Sequence, residues 1–201
     1  MPPGTEKLGP LFLFIIILMK TIQIQSQIKR LFEEDQNDRI QLRKKNYSSK
    51  KLWTILKKND ERRRNAVNKI LSNKKIKLRG IDYFRIGVVF QHGGTTQTTA
   101  QAKLFAQKGI ALGHDKSKWL YAAATDRLLL MQNKKQKFGT QYQKNAEGQW
   151  KLMPVSPSTI DAERKKYNVI TLQKARNMAK FLTKREQKYS YLKKVGQTLR
   201  K

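Results

Sequence analysis

The chain lacks cysteine altogether and has only two histidines, His92 and His114. Without cysteine there can be no disulfide, no thiol nucleophile and no thiolate metal site. The two histidines stand 22 positions apart and outside any HExxH pattern, so no metal centre and no cofactor are expected. No GxSxG stretch exists and no serine adjoins His92, which argues against a serine hydrolase. The longest apolar run, "LFLFIIILM" (Leu11–Met19), has nine residues. A membrane-crossing helix needs about 20, so no transmembrane span is expected.

Acidic residues are scarce as well: 14 Asp and Glu face 44 Lys and Arg, a net charge of +30. That charge draws a protein towards polyanions, either nucleic acid or an anionic envelope surface. Residues 41–80 carry 15 basic and 2 acidic side chains, a net +13, whereas residues 81–140 carry 9 and 3, a net +6. Arg62, Arg63, Arg64, Lys74, Lys75 and Lys77 are the candidate polyanion contacts, with Tyr47, Trp53, Tyr189 and Tyr191 available to stack on bases. Lysines outnumber arginines 31 to 13, which fits a diffuse field and solvated faces as well as it fits a groove.

The apolar run near the N-terminus, with Lys7 ahead of it, matches the core of a secretory signal with a cut after Ser26. Residues 1–26 are therefore read as a leader and the protein as exported, periplasmic or extracellular. Alternatively Met19 is the true start, which would make the protein cytoplasmic.

Apolar positions at helical spacing predict one mainly α domain over residues 28–182, followed by a basic tail over 183–201. Helices are expected in 28–45, around Leu52–Leu56, and from a cap at Asn59 or Asp60 through Leu71. "DYFRIGVVFQHGG" fits a helix or a buried strand, and the helix is preferred. Two further helices follow, one ending at Gly113 and one over 117–132 capped by Asp115 or Ser117. A small β-hairpin is expected across 141–153, turning at Asn145–Gly148. Ser158 with Asp161 marks another helix start, and Leu172, Ala175, Ala179 and Leu182 form a last stripe.

Helix 117–132 is apolar nearly all round, which predicts a buried helix at the centre of the fold. It nevertheless contains Asp126 and Arg127. Unpaired charges cost several kcal/mol each when taken out of water, so both need partners. His92 is the expected partner of Asp126, and the carbonyls and amides of "QKFGTQY" (136–142) are those of Arg127. One reading is a structural network that pins this loop. The other is a ligand pocket, with His92 and Asp126 as a catalytic acid–base pair and Gln91, Arg127, Gln136, Gly139, Thr140 and Gln141 as binding residues. Asp35, Asp126 and Asp161 would form a paired-carboxylate site only if the fold brought them together. Gly93, Gly94 and Gly139 are read as turn residues at positive φ.

"EEDQNDR" (33–39), "FQHGG", "WLYAAATDRLLL", "QKFGTQY" and "PVSPSTIDAERKKYNV" occur in the order and spacing of a bacterial family, and the chain resembles domain of unknown function 6624 over about residues 31–182. The family's boxes fall on Asp35, Gln36, Arg39, Gln91, His92, Gly93, Asp126, Arg127, Gln136, Gly139, Thr140, Gln141, Asp161 and Arg164. The family has no established activity. The resemblance implies a mainly helical domain, found in cytoplasmic and exported versions, and no reaction. Three functions stay open: a ligand-binding or structural polar centre, a hydrolase-like small-molecule enzyme using His92 and Asp126, or a polyanion-binding protein.

Overall fold

A computed structural model describes residues 9–45, 49–73 and 76–198. Seven helices and one hairpin follow in order: α1 (Pro10–Lys44), α2 (Lys50–Leu71), α3 (Gly80–Gln91), α4 (Thr96–Ala111), α5 (Lys116–Met131), β1 (Tyr142–Lys144), β2 (Trp150–Leu152), α6 (Asp161–Lys166) and α7 (Leu172–Thr198). The fold is mainly α, as the periodicity predicts. The hairpin is antiparallel, with Tyr142 opposite Leu152 and Lys144 opposite Trp150.

α1 runs unbroken through the apolar run and the expected boundary at Ser26. Proline at its first turn costs no hydrogen bond, because those backbone N–H groups have no intrahelical acceptor. α2 is also a single helix where two were expected. Ser49 caps it by accepting from the Leu52 amide at 3.2 Å. Asn59 and Asp60 do not open a helix. Asp60 lies inside α2, buried, with its carboxylate on Arg39 of α1 and Arg63 of its own helix. A cation from α1 and one from its own helix thus hold in mid-helix a residue that otherwise favours caps.

The main core joins Ile28 and Leu31 of α1, Val67 and Ile70 of α2, Ile86 and Phe90 of α3, Ala102 and Phe105 of α4, and Ala124 of α5. The helix at the centre is α3 rather than α5, since α3 packs against α1, α2, α4 and α5. α5 turns a face outward instead: Trp119 is 48% exposed and Met131 37%. The alanines of α5 are buried as expected and let α4 and the 137–140 loop come close. A second, smaller core of Ala122, Phe138 and Val169, with Tyr121 stacked on Tyr167, seats that loop.

Helix starts use other residues than the sequence signals. Asp115 precedes α5 without capping it, and its carboxylate holds Lys118 and Asn168 instead. Ser117 is inside the helix and bonds His114 Nδ1 at 3.0 Å. Ser158 pairs with Ser156, while Asp161 takes the Arg164 guanidinium and the Leu172 amide. Gly94 and Gly139 have positive φ, +74° and +80°. Gly93 does not. A Cβ there would sit 2.3 Å from Thr98 Oγ1, so glycine serves close packing against the start of α4.

α7 continues past Leu182. The hairpin pins it there, with the Trp150 amide donating to Thr183 Oγ1 at 2.9 Å and Trp150 Nε1 to Glu186 at 2.8 Å. Residues 183–186 are therefore part of the domain rather than of a free tail.

Candidate functional site

The single polar centre expected from the sequence is two arrangements. The first is sealed. Asp126 has no exposed surface and accepts four hydrogen bonds, two at each oxygen. Oδ1 takes the Lys137 and Phe138 amides, both at 2.7 Å. Oδ2 takes the Thr140 amide at 2.9 Å and its hydroxyl at 2.8 Å. A carboxylate has about four lone-pair sites, and all four are filled. The expected His92–Asp126 pair is therefore absent, because Asp126 is saturated by the loop.

Gln136, also fully buried, completes the clamp. Its amide nitrogen donates to the Met153 and Gln141 carbonyls, and its Oε1 accepts from the Gln141 amide. Arg164 closes the loop from below, donating Nε–H to the Phe138 carbonyl at 2.9 Å and Nη1–H to the Thr159 carbonyl at 3.0 Å. Of the ligand-binding candidates, Gln136 and Thr140 hydrogen-bond within the loop and to Asp126, and Gly139 is buried between them.

The second arrangement is partly open and draws on α1, α2, α3, α5 and Gln141. His92 ends α3, and its Nδ1 lies 3.1 Å from Asp35 Oδ2 and 3.2 Å from Oδ1. Asp35 is fully buried on α1, whereas the His92 side chain is 24% exposed. Arg39 sits one helical turn after Asp35, pairs with it at 2.8 Å, and reaches Asp60 at 2.9 Å. Gln36 donates to Asp35 Oδ2 at 2.7 Å.

Arg63 lies beneath, 1% exposed, between Asp38 at 2.7 Å and Asp60 at 2.6 Å. Burial disfavours its charge, but the hydrogen bonds to Asp60 and Asp38 outweigh burial and hold its pKa above the ordinary value. Arg63 is thus removed from the polyanion candidates, because its charge is spent inside. Arg62 is exposed but paired with Glu34. Arg64 has a buried nitrogen without a protein partner among the described residues. Lys77 is exposed. Lys74, Lys75 and Tyr47 lie outside the described residues, as do the side chains of Tyr189 and Tyr191.

Arg127 borders His92 from α5. It donates Nη1–H to the Gln91 carbonyl at 2.6 Å and Nη2–H to Gln141 Oε1 at 3.3 Å. Gln141 is one of the partners expected from the loop; the Gln91 carbonyl is not. Among the described residues no carboxylate pairs with Arg127. Burial lowers its pKa first, and the charge of Arg39 lowers it further. Gln91 is 6% exposed and its side-chain oxygen is buried without a partner among the described residues. The three aspartates weighed as paired carboxylates do not converge. Asp35 serves His92 and Arg39, Asp126 the loop, and Asp161 Arg164.

An ionised carboxylate only accepts hydrogen bonds, so the Asp35 contact places the proton of a neutral His92 on Nδ1. Nε2 then carries the free lone pair and has no hydrogen-bond partner among the described residues. A cavity of about 940 Å³ lies elsewhere, between Trp150–Pro157 and α7. Comparison with family models, with curated proteins and with solved structures found no match.

Proposed function

We propose that the open arrangement binds a small anionic ligand on Arg127 and uses His92, oriented by Asp35, to exchange a proton with it. The observation that carries this reading is Arg127 itself. A desolvated guanidinium costs several kcal/mol unless a charge matches it. Its protein partners are a backbone carbonyl and a neutral amide, while Arg39, another cation, is close enough to depress its pKa. A bound carboxylate or phosphate would supply the missing counter-charge in the fork geometry that arginine favours. Arg127 meets the end of α3 at the Gln91 carbonyl, one residue before His92. The proton carrier is therefore His92 with Asp35, in place of the His92–Asp126 pair expected from sequence.

The sealed arrangement around Asp126 is structural in this reading. It holds Gln141, and hence one side of Arg127, in place. The resemblance to domain of unknown function 6624 fits this division, since both arrangements fall on the shared boxes, but it supplies no reaction.

Titration of the full chain with inorganic phosphate, followed by calorimetry, tests the binding step. Saturable binding that disappears in Arg127→Gln is expected, and equal binding by the two proteins would overturn the reading. For the hydrolase-like alternative, phosphate- and carboxylate-bearing esters are the substrates to screen. His92→Gln should abolish any turnover while the melting temperature stays near wild type.

A further inference from the structure

Among the described side chains, none in the N-terminal third of α1 belongs to the core. The first of them that is buried is Ile28, and Ile24 only packs against the core edge. Ahead of them, eight apolar side chains lie 43–74% exposed: Leu11, Phe12, Phe14, Ile15, Ile17, Leu18, Met19 and Ile22. At about 100° per residue these positions, with the half-buried Ile16, surround the helix rather than forming a stripe. A helix that docks on a protein groove needs one apolar face. A helix apolar on every side suits hydrocarbon. Soluble monomers rarely leave so continuous a patch in water.

Its length is also informative. Leu11–Met19 spans about 13 Å as a helix, well short of a hydrocarbon core of about 30 Å, and Lys7 and Lys20 flank it on both sides, which suits a surface position. No helix among the described residues is long and apolar enough to cross a membrane. Lys20 closes the run at the depth where a headgroup would lie.

Charge collects at the base of this arm. α2 runs antiparallel to α1, since Glu34 meets Arg62 while Asp38 meets Asn59 and Arg63. The end of α2 and the 76–79 segment therefore return beside Ile24, where Ile70, Leu71, Ile76 and Leu78 join the same core. Lys69 and Lys77 project there, exposed, and with Lys20 they have no carboxylate partner among the described residues.

We infer that this arm lies in the headgroup–acyl boundary of an anionic lipid bilayer and tethers the domain to the membrane surface, with Lys20, Lys69 and Lys77 forming a basic collar against the headgroups. The apolar run then anchors the protein instead of being cut away with a leader. An apolar segment plus a basic patch is the two-part arrangement that makes surface attachment stable.

Flotation of the full chain with vesicles of phosphatidylcholine, alone or mixed with phosphatidylglycerol, tests this. Wild type should float with the mixed vesicles and less with the neutral ones at low salt. Phe14→Ser, Ile17→Ser and Leu18→Ser together should abolish flotation without shifting the melting temperature, because these side chains lie outside the core. Lys69→Glu with Lys77→Glu should remove only the preference for anionic vesicles. Failure of the intact chain to float would overturn the proposal. So would flotation that survives the serine variant, self-association through the arm without vesicle binding, or a mature N-terminus beyond Met19 in producing cells.

Discussion

His92 and Asp35 meet at 3.1 Å although 57 residues separate them in the chain. The contact ties the end of α3 to the middle of α1. It also joins the most exposed ring of the polar centre to a carboxylate with no exposed surface. Everything that distinguishes a proton-exchanging site from a structural network in this fold depends on that placement, since the other conspicuous acid, Asp126, is fully occupied.

Asp126→Ala should be among the most destabilising single changes. It strands the amides of Lys137, Phe138 and Thr140, which are held by one buried carboxylate. A loss of about 3–5 kcal/mol is expected. Denaturant unfolding would measure it, and a loss under about 1 kcal/mol would mean that the loop is not held from α5.

Gly139→Ala should cost about 1–2 kcal/mol through backbone strain alone. Its φ is +80°, and an added Cβ would meet Val155 only at an ordinary contact distance of 3.4 Å. Gly93→Ala differs in kind, because Thr98 would have to move. In thermal melting, adding Thr98→Gly, which also removes the Thr98 Cβ that would lie 2.4 Å away, should partly rescue Gly93→Ala and have no counterpart at Gly139.

Arg63→Met should destabilise the chain by about 3–5 kcal/mol, leaving Asp38 and Asp60 without their shared cation. It should not change the salt dependence of any DNA or RNA binding, since the side chain is 1% exposed. Lys77→Glu, at an exposed position, should reduce the slope of such binding against salt. Filter binding across a salt series separates the two outcomes.

His114 gives a pH effect whose sign follows from its surroundings. Burial lowers its pKa from the ordinary 6.5, and Lys116 and Arg85 add to this against a smaller opposing pull from Asp115. The folded chain thus prefers the neutral ring, and the unfolded chain binds more protons once pH falls below about 6.5. This contribution to stability is complete above that pH and is lost as pH falls through the lowered value. Unfolding curves from pH 7.5 to 5 should show a smaller decline in His114→Asn than in wild type.

The sequence announces its helices because apolar residues recur every three or four positions from Ile28 to Leu182, and the hairpin because Asn145–Gly148 interrupts two short runs. It does not announce the unbroken α2. Asn59 and Asp60 are good caps in isolation, and only the arginine across the interface shows why Asp60 stays inside a helix. His92 is the expected partner of Asp126 because both carry chemistry. The loop that claims Asp126 offers backbone amides, which carry no sequence signal. Asp35 and Arg39 sit one turn apart in "EEDQNDR", where they look like a solvated charged face until α2 covers them. Which helix is central depends on tertiary packing: α3 is surrounded by α1, α2, α4 and α5, whereas α5 turns Trp119 and Met131 outward.

Asp35→Asn isolates the positioning role of the pair. The carboxylate can only accept from His92, whereas an asparagine amide can accept or donate, so either ring nitrogen could then carry the proton. Nitrogen-15 spectra of the wild-type histidine should show the Nδ1–H tautomer, and the variant should show a mixture. Phosphate affinity should stay near wild type, because the Arg127 fork is untouched. Stability should fall by about 1–3 kcal/mol, since Arg39 and Arg63 keep Asp60. Any turnover found with an anionic ester should drop in kcat with little change in KM, since the variant disturbs proton exchange and not binding. A variant with the same tautomer and the same kcat as wild type would reduce the Asp35 contact to packing.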